Sequence, residues 1–88
     1  MINELGSWTE VTRGFYRYVV SAKVCYEIHI LYWYDETDIL TAKASLYLVG
    51  NWTRIPDKVS FFSREVLLAE QPVFECLKAA EKDYKENL

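Results

Sequence analysis

The sequence contains few of the residues that build catalytic and metal-binding loops. Among 88 residues there are three glycines, two prolines, two cysteines and one histidine. The glycines are isolated, which excludes a glycine-rich phosphate-binding loop. A zinc site needs three or four Cys or His ligands, and Cys25, His29 and Cys76 would have to meet across the core to supply three. Cys25 and His29 are also four residues apart along a strand, which is too far for a nucleophile to form a hydrogen bond with its general base. We expect no metal, no cofactor and no enzymatic activity.

A surplus of positive charge and a long apolar run are also missing. Ten Lys and Arg stand against thirteen Asp and Glu, for a net charge of −3. This balance gives no electrostatic reason to bind nucleic-acid phosphates or an anionic membrane. No uncharged run approaches the roughly 20 residues of a membrane span, and the start "MINELGSW" has no basic and apolar signal segments. We expect a cytoplasmic protein without membrane contact, in which both thiols stay unpaired.

Apolar and aromatic residues are abundant instead. They make up 51% and 16% of the chain, which excludes disorder and favours strands. A chain of this length supports one core, so residues 1–88 are predicted to form a single domain. We predict an α+β fold: an antiparallel β-meander of three to four strands with a C-terminal α-helix packed on one face.

Alternating apolar side chains predict three strands, at 14–20, 24–34 and 39–49. Residues 50–57 read as a loop, and 59–69 fit either a fourth strand or a helix. Pro72 suits the first turn of a helix that continues to residue 87. Its predicted apolar stripe consists of Val73, Leu77, Ala80 and Tyr84, with Phe74 beside them.

The even-numbered side chains of the three strands predict the register, because a slip of one residue would turn every core residue outward. Even positions then pair across the strands, with Tyr32 opposite Ala42 and Ile28 opposite Leu46 and, in the first strand, Tyr16 opposite Ile28. We call this surface the even face and expect the helix to cover it. The odd-numbered side chains form the opposite surface, the odd face.

The odd face is predicted to be open and to bind a partner, since it carries the Trp, Tyr and Arg residues that anchor interfaces. An alternative is that Arg17 and Glu27 form an ordinary surface ion pair. Another is that the N-terminal segment around Trp8 covers this face. The predicted partner-binding residues are Phe15, Arg17, Glu27, His29, Trp33, Lys43 and Tyr47, with Trp52 of the following loop at the rim.

An acidic hairpin, "DETD" at 35–38, joins the second and third strands. Asp35, Glu36 and Asp38 could steer the chain toward basic surfaces. They could also catch a hard cation, but the Gly and distal Glu of a calcium loop are missing, which favours a role in the turn.

These features predict a small acidic protein-binding module without enzymatic activity, an inhibitor or regulator that docks on a larger protein with a basic or apolar surface. In size and charge it is similar to inhibitors of nucleic-acid-handling enzymes such as anti-CRISPR proteins. One alternative is a homodimer that buries the two odd faces against each other. Another is a binder of single-stranded nucleic acid, although Arg13, Arg17 and Lys43 are the only cations on the odd face and Glu27 offsets them.

Overall fold

The chain forms one antiparallel sheet and one long helix. The computed structural model describes residues 1–50, 53–54, 59–63 and 70–87. After a short 3₁₀ turn the elements are β1 (Thr9–Thr12), β2 (Phe15–Val19), β3 (Val24–Tyr34), β4 (Leu40–Gly50), β5 (Thr53–Arg54), β6 (Val59–Ser63) and α1 (Glu70–Asn87).

The first four strands form a meander in the order β1, β2, β3, β4. The short β5 and β6 then both pair with β4. A four-stranded antiparallel meander with one helix packed on it confirms the predicted α+β class. β6 also settles the first half of the segment 59–69 as strand, whereas 64–69 lie outside the described residues.

The predicted register is confirmed in both central hairpins. Tyr32 pairs with Ala42 and Ile28 with Leu46 across β3 and β4. Across β2 and β3, Tyr16 pairs with Ile28. The side-chain period of two residues is therefore enough to align these three strands, because one face of each is apolar.

The strand β1 was not predicted. Its four residues, "TEVT", are all exposed, so they show no alternation between buried and exposed positions. Gly14 makes the turn into β2 with φ 79°, and a Cβ there would lie 3.1 Å from the Ile30 carbonyl oxygen. Glycine therefore suits both the backbone angle and the close approach to β3.

The core lies between the even face and the helix. On the sheet it contains Tyr26, Ile28, Ala44 and Leu46, and on the helix Cys76, Leu77 and Ala80. Ile2 and Trp8 complete it. The Trp8 ring lies 5.5 Å from the Tyr18 ring, and its Nε1 donates a 2.8 Å hydrogen bond to the Ile2 carbonyl.

The N-terminal segment therefore packs on the core side, and the alternative in which it covers the odd face is wrong.

The predicted apolar stripe of the helix is correct at Leu77 and Ala80 and wrong at its two aromatic residues. Phe74 and Tyr84 are exposed, and Cys76 is buried instead. Small side chains at positions 76 and 80, one turn apart, let the helix approach the sheet closely. On the outer side, Glu81 and Lys85, four residues apart, form an ion pair at 2.7 Å.

The two cysteines are free, and burial raises the pKa of both thiols, that of Cys76 to about 12. At pH 8 only about one Cys76 thiol in ten thousand would then be ionised. We expect a thiol reagent to modify Cys25 slowly and Cys76 only when the chain unfolds. Labelling rates of the wild type and a Cys76→Ala variant, with and without urea, check this. Equal Cys76 rates in the folded and unfolded chain would contradict the packing of the helix.

Candidate protein interface

Glu27 is the centre of the odd face. Its side chain is buried, with the residue 5% exposed. The Arg17 Nη2 donates a 3.3 Å hydrogen bond to one carboxylate oxygen, and the His29 Nε2 lies 3.1 Å from the other. The register explains this meeting, because Arg17 is directly opposite Glu27 and His29 is two residues further along the same strand. The pair with Arg17 is thus half-buried, unlike the ordinary surface ion pair of the alternative interpretation.

Three rings surround this carboxylate and its partners. The His29 ring lies 4.5 Å from the Phe15 ring and 4.7 Å from the Tyr47 ring. The Arg17 guanidinium carbon lies 5.5 Å from the centre of the Phe15 ring. Five of the predicted partner-binding residues therefore contact one another across β2, β3 and β4. We call them the odd-face cluster: Phe15, Arg17, Glu27, His29 and Tyr47.

A recess of about 240 Å³ borders the cluster, lined among others by Arg17, Cys25 and Glu27. Burial is the main cause that raises the Cys25 pKa, and the Glu27 carboxylate raises it further. A protonated thiol is a weak nucleophile. The surroundings of Cys25 therefore favour its protonated form over the thiolate that acts as a nucleophile.

The end of β3 is exposed on both faces. Leu31, Tyr32, Trp33 and Tyr34 are 60%, 55%, 38% and 69% exposed. We call these four residues the tip. β2 stops before it, since Phe15 pairs with His29. The prediction that all even residues of this strand lie in the core is therefore wrong at Tyr32 and Tyr34.

The acidic hairpin combines a structural residue with exposed charges. Asp35 Oδ1 accepts hydrogen bonds from the Thr37 amide at 2.8 Å, its hydroxyl at 2.7 Å, and the Ile39 amide at 3.0 Å. Asp38 adopts φ 58°, a left-handed angle that Asp tolerates in hairpin turns. Glu36 and Asp38 are exposed. No cluster of metal-ligating side chains occurs in the described part of the chain, so the turn role of Asp35 is the one that its contacts support.

The remaining predicted residues lie near the tip or outside the described part. Trp33 belongs to the tip and pairs with Thr41, and Lys43 is half-buried opposite Leu31. Trp52 lies outside the described residues. Sequence reasoning missed Tyr32 and Tyr34 as surface residues, and it placed Leu31 on the open odd face without counting it among the partner-binding residues. The lengths of the predicted strands could have indicated that the end of β3 is exposed, because a first strand of seven residues cannot pair along the whole of a second strand of eleven.

A groove of about 510 Å³ begins at the tip and follows the even face toward the helix. Tyr32, Ile30 and Tyr16 line it on the sheet, and Val73 and Phe74 on the helix. The helix therefore covers the even face only in part. The exposed apolar surface is continuous from the groove to the tip through Tyr32.

No helix among the described residues is both long and apolar enough to cross a membrane. In comparisons with known proteins, no family model, no curated protein and no solved structure matches the chain.

Proposed function

We propose that the chain is a non-enzymatic protein-binding module that docks on another protein through the tip. The observation that carries this proposal is the exposure of four consecutive large apolar residues on one strand. Exposed apolar groups that form a contiguous patch mark interaction sites in small proteins. Trp and Tyr are also the residues that most often dominate the energy of an interface.

The chemistry around the tip favours a partner with an apolar centre and a basic rim. Glu36 and Asp38 are exposed in the turn that directly follows the tip. Carboxylates beside an apolar patch attract basic surfaces and repel acidic ones, which affects the association rate and the choice of partner. The chain as a whole carries a net charge of −3, which adds to this preference.

The odd-face cluster supports the tip from the next rungs of the same sheet. His29 precedes Leu31 by two residues on the same face of β3, so the ring contacts of the cluster border the tip directly. Side chains held by mutual contacts lose little freedom on binding. The cluster would thus supply a rigid base, and the tip the apolar contact.

A pull-down with matched variants tests this proposal. The bait is the purified chain in a nuclease-treated lysate of the source organism, as wild type, as Leu31→Ser with Trp33→Ser, and as a Val19→Ser with Tyr84→Ser control. The control removes an exposed aliphatic and an exposed aromatic side chain away from the tip. We expect a protein that the wild type and the control retain and the tip variant loses. With that protein purified, the tip variant should bind about 100-fold more weakly, as loss of hot-spot residues does.

Retention of the same proteins by all three baits would contradict a role of the tip. A second measurement tests the nucleic-acid alternative. Quenching of tryptophan fluorescence by single-stranded oligonucleotides, strong at low salt and lost at high salt, would favour base stacking over protein docking.

A further inference from the structure

The outer edge of the tip presents backbone hydrogen-bonding groups as well as side chains. Ile30 donates its amide to the Gly14 carbonyl on the β2 side at 2.8 Å, and Asp35 donates to Ile39 on the β4 side at 3.0 Å. Even residues of β3 therefore point their backbone groups toward β2, and odd residues toward β4. Beyond Gly14 no described strand continues along this edge. The amide and carbonyl groups of Tyr32 and Tyr34 thus face outward at an unpaired sheet edge.

We propose that two copies of the chain join at these edges as an antiparallel β3–β3 pair around a twofold axis. The alternation of the backbone groups selects the register. Tyr32 of each copy pairs with Tyr34 of the other and exchanges two hydrogen bonds with it, and Trp33 lies opposite itself at the axis. The two sheets become one continuous sheet.

The ends of the edge fit this register. In this register, Leu31 of one copy lies opposite Asp35 of the other. At this position the strand of the second copy ends in its turn, and in the first copy Gly14 begins to pair with β3. The outward backbone groups of Tyr32 and Tyr34 of one copy thus pair with those of the other, and the new pairing ends where β2 begins to pair with β3.

Charge complementarity favours a second copy as the occupant. The exposed Arg13 lies beside Gly14, at the base of the tip. In the paired register, the turn of the other copy, with its exposed Glu36, comes next to this Arg13. The twofold axis repeats the contact. Each copy therefore brings an exposed Glu36 close to Arg13 of the other copy, in a recess that Glu10 also lines, and aromatic cross-strand pairs fill the space between the two contacts.

The dimer does not depend on the proposed docking function. Docking depends on the side chains of the tip, whereas dimerisation depends mainly on the backbone groups of its edge. If both hold, the dimer presents Leu31 and Trp33 of two copies on one surface. Failure of one leaves the other intact, because the first is read from partner capture and the second from the mass of the purified chain.

Sedimentation of the purified wild type between about 10 µM and 1 mM tests the dimer directly, since this range covers dissociation constants that correspond to roughly −4 to −7 kcal/mol. We expect a dimer whose fraction rises with concentration.

Two variants then test the edge. Tyr34→Ala and Tyr34→Pro both remove the aromatic ring, but only Tyr34→Pro removes the backbone N–H that faces outward. Because of the twofold symmetry, the dimer then loses two hydrogen bonds. We expect the dimer of Tyr34→Pro to be about tenfold weaker than that of Tyr34→Ala. Circular dichroism checks that both variants fold.

Disulfide trapping tests the register. Opposed residues of a non-hydrogen-bonded pair have Cα atoms about 4.5 Å apart, within the range of a disulfide. In a Cys25→Ser background, Trp33→Cys should form a covalent dimer on mild oxidation. The control Val19→Cys lies on β2 at a position that is more exposed, 65% against 38% for Trp33, and should stay monomeric. A wild type that is monomeric up to about 1 mM, equal affinities of the two Tyr34 variants, or equal trapping at positions 33 and 19 would each overturn the proposal.

Discussion

Replacing Trp8 with Ala is expected to lower the free energy of unfolding by about 3 to 5 kcal/mol, the usual cost of removing a buried Trp. The residue is 6% exposed, contacts Tyr18 and donates to the Ile2 carbonyl. A domain of this size has a total stability on the order of 5 kcal/mol, so the variant would lose most of its folded population at 25 °C. Urea denaturation followed by far-ultraviolet circular dichroism measures this loss.

Two variants show which part of the Trp8 side chain matters. Trp8→Phe keeps a buried ring but leaves the Ile2 carbonyl without its donor, which costs about 1 to 3 kcal/mol. Trp33→Ala removes the same side chain from a more exposed position and should cost about 1 kcal/mol or less. If Trp8→Ala proves as small in cost as Trp33→Ala is expected to be, the N-terminal segment is not part of the core.

Trp8 also shows where sequence reasoning stops. Strands reveal themselves by alternation and the helix by its apolar stripe, and neither pattern occurs in "MINELGSW". The segment forms a 3₁₀ turn instead and reaches the core through contacts that are distant in sequence. Such contacts depend on the shape of the rest of the core, and no local sequence pattern predicts that shape. The polar edge strand β1 escaped prediction for a related reason, because all four of its residues are exposed and show no alternation.

The odd-face cluster was largely predictable. Once the register is known, Arg17 and Glu27 share one row, and Phe15 and His29 share the next, so their contacts follow from the spacing of two residues. The burial of Glu27 was not predictable. It depends on how closely Arg17, His29 and Tyr47 enclose the carboxylate, which is a property of side-chain packing. The tip was missed because the alternation of β3 continues past the point where the neighbouring strand ends.

Replacing Ile28 with Ala is expected to lower the free energy of unfolding by about 2 to 5 kcal/mol, because the side chain is fully buried at the centre of the even face. It lies between Tyr16 and Leu46 in the register and beneath the helix residues of the core. Ile28→Val, which removes one methylene group, should cost about 0.5 to 1.5 kcal/mol. Urea midpoints at constant slope measure both changes.

Leu31→Ala, three residues along the same strand and on the odd face, is the matched control. Since the side chain is 60% exposed, its loss should change the free energy of unfolding by no more than about 0.5 kcal/mol. Equal costs at positions 28 and 31 would contradict the assignment of the two faces. The expected difference also separates stability from binding. If a variant keeps its stability but fails to retain the partner, it has lost a contact with that partner. The proposed docking role of the tip requires this effect at Leu31.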